Sequence, residues 1–152
     1  MTPRSSKPIP EHLQRFFAGR PIAFVATVRP DGLLSTNPMA VVLDGDLVKL
    51  STVTNRKKVR NLLADDRITV CVVQPSNLNE YVEIRGRALI DPDTDRAFID
   101  GIARTYMGAD RYPFDRPGDE RVTITVLAEQ ISSPVIPMAD DPPYERPADP
   151  KE

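Results

Sequence analysis

Two tight-turn signals, each lying between stretches rich in β-forming residues, constrain the fold more than any other feature of the sequence. Residues 30–32 (Pro-Asp-Gly) follow the stretch 22–28, and residues 44–46 (Asp-Gly-Asp) separate residues 33–43 from 47–52. Proline presets φ at a turn and glycine accepts a positive φ, so each signal predicts a hairpin between antiparallel strands. Two hairpins in succession predict an antiparallel meander.

The rest of the chain adds three strands and two or three helices to this meander. Asn55 is a candidate cap for a helix whose inner face would be Val59, Leu62 and Leu63. An almost continuous apolar run predicts a strand buried on both faces that contains Cys71. The further predicted strands are residues 81–88 and 121–130, and the further predicted helices are residues 10–18 and 94–107. About six antiparallel strands with interspersed helices predict a mainly β (α+β) fold, a closed or nearly closed barrel.

The domain boundaries follow from composition. Residues 10–133 carry the periodic pattern, and residues 1–9 are predicted to form a flexible N-terminal arm. Residues 134–152 contain six prolines and five acidic residues, which predicts a proline-rich acidic tail outside the barrel.

Composition argues against several classes of function. The net charge of −2 lacks the basic excess typical of nucleic-acid-binding proteins. No apolar run is long enough to span a bilayer and no export signal is evident, so a cytoplasmic protein is expected. The single cysteine, Cys71, and the single histidine, His12, leave no recognisable nucleophile arrangement or metal-ligand spacing.

A run of cations is the sharpest chemical feature of the sequence. Four of the five residues 56–60 are Arg or Lys, and they lie where a strand gives way to a helix. A helix N-terminus offers unpaired N–H groups and the positive end of the helix dipole, which favours a phosphate. The same run is also typical of the solvated face of an amphipathic helix, and the residues alone leave both interpretations open.

In order and spacing, five stretches of the sequence resemble the pyridoxamine 5′-phosphate oxidase-like split-barrel family. The resemblance is greatest to the flavin- and deazaflavin-dependent reductase branch of that family, and it covers roughly residues 10–131. The matching stretches are residues 26–32 (Ala-Thr-Val-Arg-Pro-Asp-Gly), 37–39 (Asn-Pro-Met), 56–62, 65–68 and 81–88. The resemblance implies an FMN-binding type of split barrel, a homodimer, and a cofactor bound in a groove at the dimer interface.

The resemblance also implies roles for individual residues. Asn61 would support the helix start, and Tyr81 would approach the cofactor from the partner subunit. The cofactor phosphate would be bound by Arg56, Lys57 and Lys58, and the ring system would be lined by Ser35, Thr36, Asn37, Pro38, Ser51, Thr52 and Val53.

The function implied is that of an oxidoreductase that passes hydride to or from a small conjugated substrate. Coenzyme F420 is favoured as the cofactor because several basic residues would hold its phosphate and glutamate tail, and FMN is the alternative. A non-catalytic flavin- or haem-binding module is a further alternative, with His12 as the imidazole offered to haem. A domain that binds an acidic partner is another. Vitamin B6 synthesis is not expected, because the chain lacks tryptophan and ends in an acidic tail.

Overall fold

Seven antiparallel strands form a single sheet in the computed structural model of the chain, which describes residues 5–134. The sheet is accompanied by two α-helices and a short 3₁₀ helix, Glu11–Phe17. The strands are β1 (Ile22–Val28), β2 (Leu34–Ala40), β3 (Val42–Asp44), β4 (Leu47–Val53), β5 (Arg67–Gln74), β6 (Asn77–Pro92) and β7 (Arg121–Ser132), and the helices are α1 (Lys57–Ala64) and α2 (Ala97–Met107).

The order of the strands shows that the sheet closes on itself. Neighbours follow the sequence β2-β1-β5-β6-β7-β4-β3, so β2 and β3 lie at opposite edges. Only Val41 separates these two edge strands along the chain, and the sheet must therefore curve until its edges meet. This arrangement confirms the predicted mainly β split barrel.

The expected count of about six strands is wrong because residues 33–43 form two strands rather than one. The predicted hairpins are present, since β1 pairs with β2 and β3 pairs with β4. They do not form a continuous meander, because β2 and β3 are placed at the two edges of the sheet. The chain changes edges at Val41, and closure of the barrel produces this break.

Tyr106 of α2 forms hydrogen bonds to the backbone at the junction of β2 and β3. Its hydroxyl accepts a hydrogen bond from the N–H of Val41 at 3.3 Å and lies within hydrogen-bond distance of the carbonyl oxygens of Val41 and Pro21. Burial raises the pKa of Tyr106, so this hydroxyl keeps its proton. The contact holds α2 against the junction of β2 and β3.

The barrel interior is formed by alternate residues of each strand. On β5 the buried residues are Ile68, Val70 and Val72, whereas Cys71 is only half-buried on the outer face. The prediction of a strand buried on both faces is therefore wrong for β5. Burial, followed by the charge of Glu83, raises the pKa of the Cys71 thiol, which keeps it protonated and unreactive.

The start of α2 also differs from the prediction, which placed it at residue 94. Arg96 has a left-handed backbone, with φ of 62°, and the helix begins at Ala97. The carboxylate of Asp93 accepts hydrogen bonds from the N–H groups of Phe98 and Ile99, at 3.2 and 3.0 Å. This cap satisfies the first turn and places the start of the helix three residues later.

Part of the predicted N-terminal arm belongs to the barrel. The N–H of Lys7 donates to the carbonyl oxygen of Ala128 at 2.8 Å, and Ser6 Oγ accepts from the N–H of Ala128 at 2.9 Å. Ile9 is buried in the core. Of the predicted tail, residues 135–152 lie outside the described residues, as do residues 1–4 of the arm. No helix within residues 5–134 has the length and apolar character needed to cross a membrane.

Candidate functional site

The first two N–H groups of α1, those of Lys57 and Lys58, lack an acceptor within residues 5–134. The residue preceding the helix is Arg56, whose side chain makes no capping hydrogen bond, and the first turn holds no acidic residue. Asn55 lies one residue too early, so the prediction that it caps the helix is wrong. No hydrogen bond from the N–H of Lys57 or Lys58 is made within the part of the chain that the structure describes. The helix start therefore presents free donors and the positive end of the dipole.

Four cations surround this helix start, and we call Arg56, Lys57, Lys58 and Arg60 the cationic patch. Lys58 is half-buried and the other three are exposed. Within residues 5–134 none of the four forms an ion pair with a carboxylate, although eight other cations of the barrel do. No carboxylate among residues 5–134 compensates the positive charge of the patch, which suits it to a bound anion.

Lys58 joins this patch to strand β2. Its Nζ donates a hydrogen bond to Oδ1 of Asn37 at 2.6 Å. Burial, and next the charge of Arg56, lower the pKa of Lys58. Asn37 is neutral and accepts only one bond, so it does not neutralise the ammonium and leaves further Nζ donors for a ligand. The structure brings together two predicted site residues that lie 21 positions apart in the sequence.

The lowered pKa of Lys58 allows a direct test of anion binding. A bound phosphate favours the charged form, so the pKa of Lys58 is expected to rise when phosphate binds. Phosphate affinity should therefore be greatest below the pKa of Lys58 in the free protein and should fall as the pH rises through it. Nitrogen-detected NMR of the Lys58 Nζ, with and without saturating phosphate, measures the shift. An unchanged pKa would contradict contact between Lys58 and the anion.

Asn61, on the next turn of α1, points into the barrel wall rather than toward solvent. Its Nδ2 donates to Oγ1 of Thr27 on β1 at 3.0 Å, and both residues are buried. The predicted inner face of α1 is correct for Val59 and Leu62, but Leu63 is exposed. The amide of Asn61 is the group that faces the strand.

The predicted ring-lining segment of β2, residues 35–38, is exposed throughout. Its side chains alternate between the two faces of the strand. Ser35 and Asn37 lie opposite Thr27 and Val25, on the face that α1 covers, and Thr36 and Pro38 lie opposite Ala26 and Phe24, on the outer face. Strand β2 therefore offers polar groups beside Lys58 and a second surface on the outside of the barrel.

The second predicted ring-lining segment, Ser51, Thr52 and Val53 of β4, is buried. Ser51 Oγ accepts a hydrogen bond from Arg121 Nη1 at 3.3 Å, and Arg121 is in turn ion-paired with Asp115 at 2.6 Å. Thr52 points to the opposite face, since consecutive strand residues alternate. Of the two predicted ring-lining segments, that of β2 is therefore open to a ligand from solvent in a single chain, and that of β4 is not.

Tyr81 lies apart from the cationic patch within a single chain. It is opposite Val73, inside β6 rather than at the start of that strand, and it shares the outer face with Cys71 and Phe24. Three strand spacings separate β6 from β2, about 14 Å across the sheet. Tyr81 and Lys58 of the same chain therefore do not converge on one small ligand.

A trough of about 260 Å³ on the outer face of β1, β5 and β6 is a second concave feature. Three arginines line it, but each is paired with a carboxylate: Arg67 with Asp65, Arg85 with Glu83 and Arg87 with Asp66. The trough therefore lacks the excess positive charge of the cationic patch, and the patch is the better anion site.

Neither a metal centre nor a histidine site emerges from the rest of the barrel. Within residues 5–134 no three His, Cys, Asp or Glu side chains are grouped so that they could hold a metal ion. His12 is exposed on the 3₁₀ helix. The sequence analysis did not predict a role for Thr27, because a threonine in an otherwise apolar strand gives no signal. The structure shows that Thr27 accepts the hydrogen bond of Asn61.

The chain belongs to the pyridoxamine 5′-phosphate oxidase family, whose sequence model matches residues 9–133. Among solved structures, an F420 reductase is 31% identical, with 82% of this chain and 98% of that chain covered and a TM-score of 0.71. A protein of Listeria innocua described as a putative pyridoxamine 5′-phosphate oxidase is 16% identical, with 81% and 95% covered and a TM-score of 0.63.

A third solved structure shows how widely the fold is used. It is a Bacteroides thetaiotaomicron protein described as a putative 5-nitroimidazole antibiotic resistance protein, 16% identical, with 81% of each chain covered and a TM-score of 0.61. At such identities the likeness establishes the fold alone. No curated protein sequence matches the chain.

Proposed function

We propose that this chain is an oxidoreductase that binds coenzyme F420 between two copies of itself and transfers hydride to or from a small conjugated substrate. The observation that carries the proposal is the cationic patch: four cations that form no ion pair within residues 5–134, at a helix start where the N–H groups of Lys57 and Lys58 have no acceptor among those residues. The 31% identity to an F420 reductase, over 98% of that protein, supports the choice of cofactor. The bound deazaflavin ring would supply the hydride chemistry.

The residues of the patch divide into two groups by their exposure. Lys58 and the N–H groups at the start of α1 would hold the phosphate, close to the side chain of Asn37 on β2. Arg56, Lys57 and Arg60 are exposed beside it and would hold the carboxylates of the glutamate tail. FMN has a phosphate but no such tail, so three further cations that form no ion pair within residues 5–134 favour F420 over FMN.

The experiment that tests this function is a titration of the purified chain with F420 and with FMN, followed by ligand fluorescence. We expect both to bind, and F420 to bind at least tenfold more tightly because it carries additional anionic groups. Raising the salt concentration should weaken F420 binding more than FMN binding. Tighter binding of FMN would favour an FMN-dependent enzyme of the same fold, and binding of neither cofactor would overturn the proposal.

The proposed homodimer uses the outer face of β1 and β2. Three large apolar side chains are exposed there in one copy of the chain: Ile22 at 43%, Phe24 at 47% and Leu34 at 74%. An apolar surface of this kind is typical of an interaction site. Tyr81 lies on the same face, so a second copy packed on it would carry its own Tyr81 toward the neighbouring cofactor site.

Replacing Phe24 by aspartate is expected to convert the dimer into a monomer and to weaken F420 binding, because the charge would be buried at the interface. Light scattering coupled to size-exclusion chromatography measures the mass. Phe114→Asp is the matched control, since Phe114 is also an exposed phenylalanine but lies in the loop after α2. A Phe24→Asp variant with the mass of the unmodified protein would contradict this interface.

A further inference from the structure

Two polar contacts, one helical turn apart, hold α1 against the barrel. Lys58 donates to Asn37 of β2 at 2.6 Å, and Asn61 donates to Thr27 of β1 at 3.0 Å. Positions 58 and 61 are three residues apart and therefore lie on the same side of the helix. Strands β1 and β2 are paired directly, with Asn37 opposite Val25. Both contacts thus reach the same two-stranded ladder.

The inner of these contacts is shielded from water. Thr27 is 3% exposed and Asn61 is 4% exposed, so the pair lies beneath the helix and out of reach of a ligand at its N-terminus. A hydrogen bond between buried groups is directional, and leaving either group unpaired is costly. The buried side chains of Val59 and Leu62 also hold the helix against the barrel. Because hydrophobic contacts are not directional, they do not fix the rotation of the helix about its axis.

We propose that the Thr27–Asn61 hydrogen bond is a positioning device for the anion site at the start of α1. It sets the rotation of the helix, so that Lys58 meets Asn37 and the first N–H groups of the helix converge with its ammonium on one anion. Thr27 and Asn61 are positioning residues that act through Lys58 and do not contact the ligand. The inference rests on the proposed function, because it concerns the same site.

The difference from a merely structural role lies in the local effect. Loss of the bond would let α1 rotate, separate Lys58 from Asn37 and return the Lys58 ammonium toward solvent. The pKa of Lys58, which burial now lowers, would then move up toward its ordinary value of 10.5. A change that only weakened the barrel as a whole would leave that pKa where it is.

The test uses Thr27→Val, which removes the hydroxyl with little change in shape. Two quantities are measured in the full chain: the affinity for inorganic phosphate, by calorimetry, and the pKa of Lys58, by NMR of its Nζ. We expect about a tenfold loss of phosphate affinity and a rise in the pKa of Lys58. Thr27→Ser, which keeps the hydroxyl, should restore both. Thr125→Val, the same change at a buried threonine of β7, should alter neither.

A second variant keeps the test informative if Thr27→Val does not fold. Replacing both partners, as Thr27→Val with Asn61→Leu, leaves no buried amide unpaired and should fold while showing the same loss of affinity. If Thr27→Val or the double variant binds phosphate normally and leaves the pKa of Lys58 unchanged, the positioning inference is overturned. If the unmodified chain binds neither phosphate nor cofactor, the proposed function fails, and the pKa of Lys58 still decides whether Thr27 orients the helix.

Discussion

Replacing Arg56 and Lys58 together by alanine is expected to weaken cofactor binding by about 2–4 kcal/mol, which is about 30-fold to 900-fold in the dissociation constant. Each charged hydrogen bond contributes about 1.5–3 kcal/mol, and the two losses do not add fully because both residues hold the same ligand. Lys58 also loses its contact with Asn37. Titration with F420, followed by fluorescence, measures the change.

The matched control is Arg20→Ala with Arg116→Ala, which removes the same charge from two exposed positions elsewhere on the barrel. This control should bind the cofactor within a fewfold of the unmodified chain. Thermal unfolding of both double variants should remain close to that of the unmodified chain, because no core side chain is altered. If the two double variants bound F420 with equal affinity, the cationic patch would not be the cofactor's anion site.

Replacing Gly86 by alanine is expected to destabilise the barrel by about 3 kcal/mol and to lower its melting temperature by about 10 °C. Gly86 lies on β6 where the register with β7 shifts, and a Cβ there would lie 2.0 Å from the carbonyl oxygen of Leu127. The obstructing atoms belong to the backbone, so the two strands must move apart. Differential scanning calorimetry measures the loss.

Gly101→Ala is the matched control for this substitution. Gly101 lies inside α2, and a Cβ there would approach only the Arg104 guanidinium, at 3.8 Å. Alanine is favoured over glycine within a helix by about 0.5–1 kcal/mol, so this variant should be slightly more stable than the unmodified chain. A Gly86→Ala variant that melts at the same temperature as Gly101→Ala would show that the strands are not packed closely at Gly86.

Local chemistry was enough to predict the hairpins. Gly32 and Gly45 both have positive φ values, of 83° and 60°, as their turn positions require. The side chain of Asp31 accepts a hydrogen bond from the N–H of Leu33, which tightens the first turn. Such turns depend on a few adjacent residues, and the sequence displays those residues directly.

The break at Val41 had no local signal. Residues 33–43 keep the composition of one strand, and the chain changes sheet edges there because the barrel closes and Tyr106 fastens the junction. The same reason limited the prediction of the site. The cation run was visible, but Lys58 meets Asn37 and Asn61 meets Thr27 across 21 and 34 positions, and such contacts depend on topology rather than spacing.

We expect the start of α1 to bind the anionic group of a cofactor. A crystal structure of the chain with bound F420 tests this binding mode most directly. We expect a phosphate oxygen within hydrogen-bond distance of Lys58 Nζ and of the N–H groups of Lys57 and Lys58, with the ring against β2. A cofactor bound elsewhere, with these groups facing bulk solvent, would contradict the account.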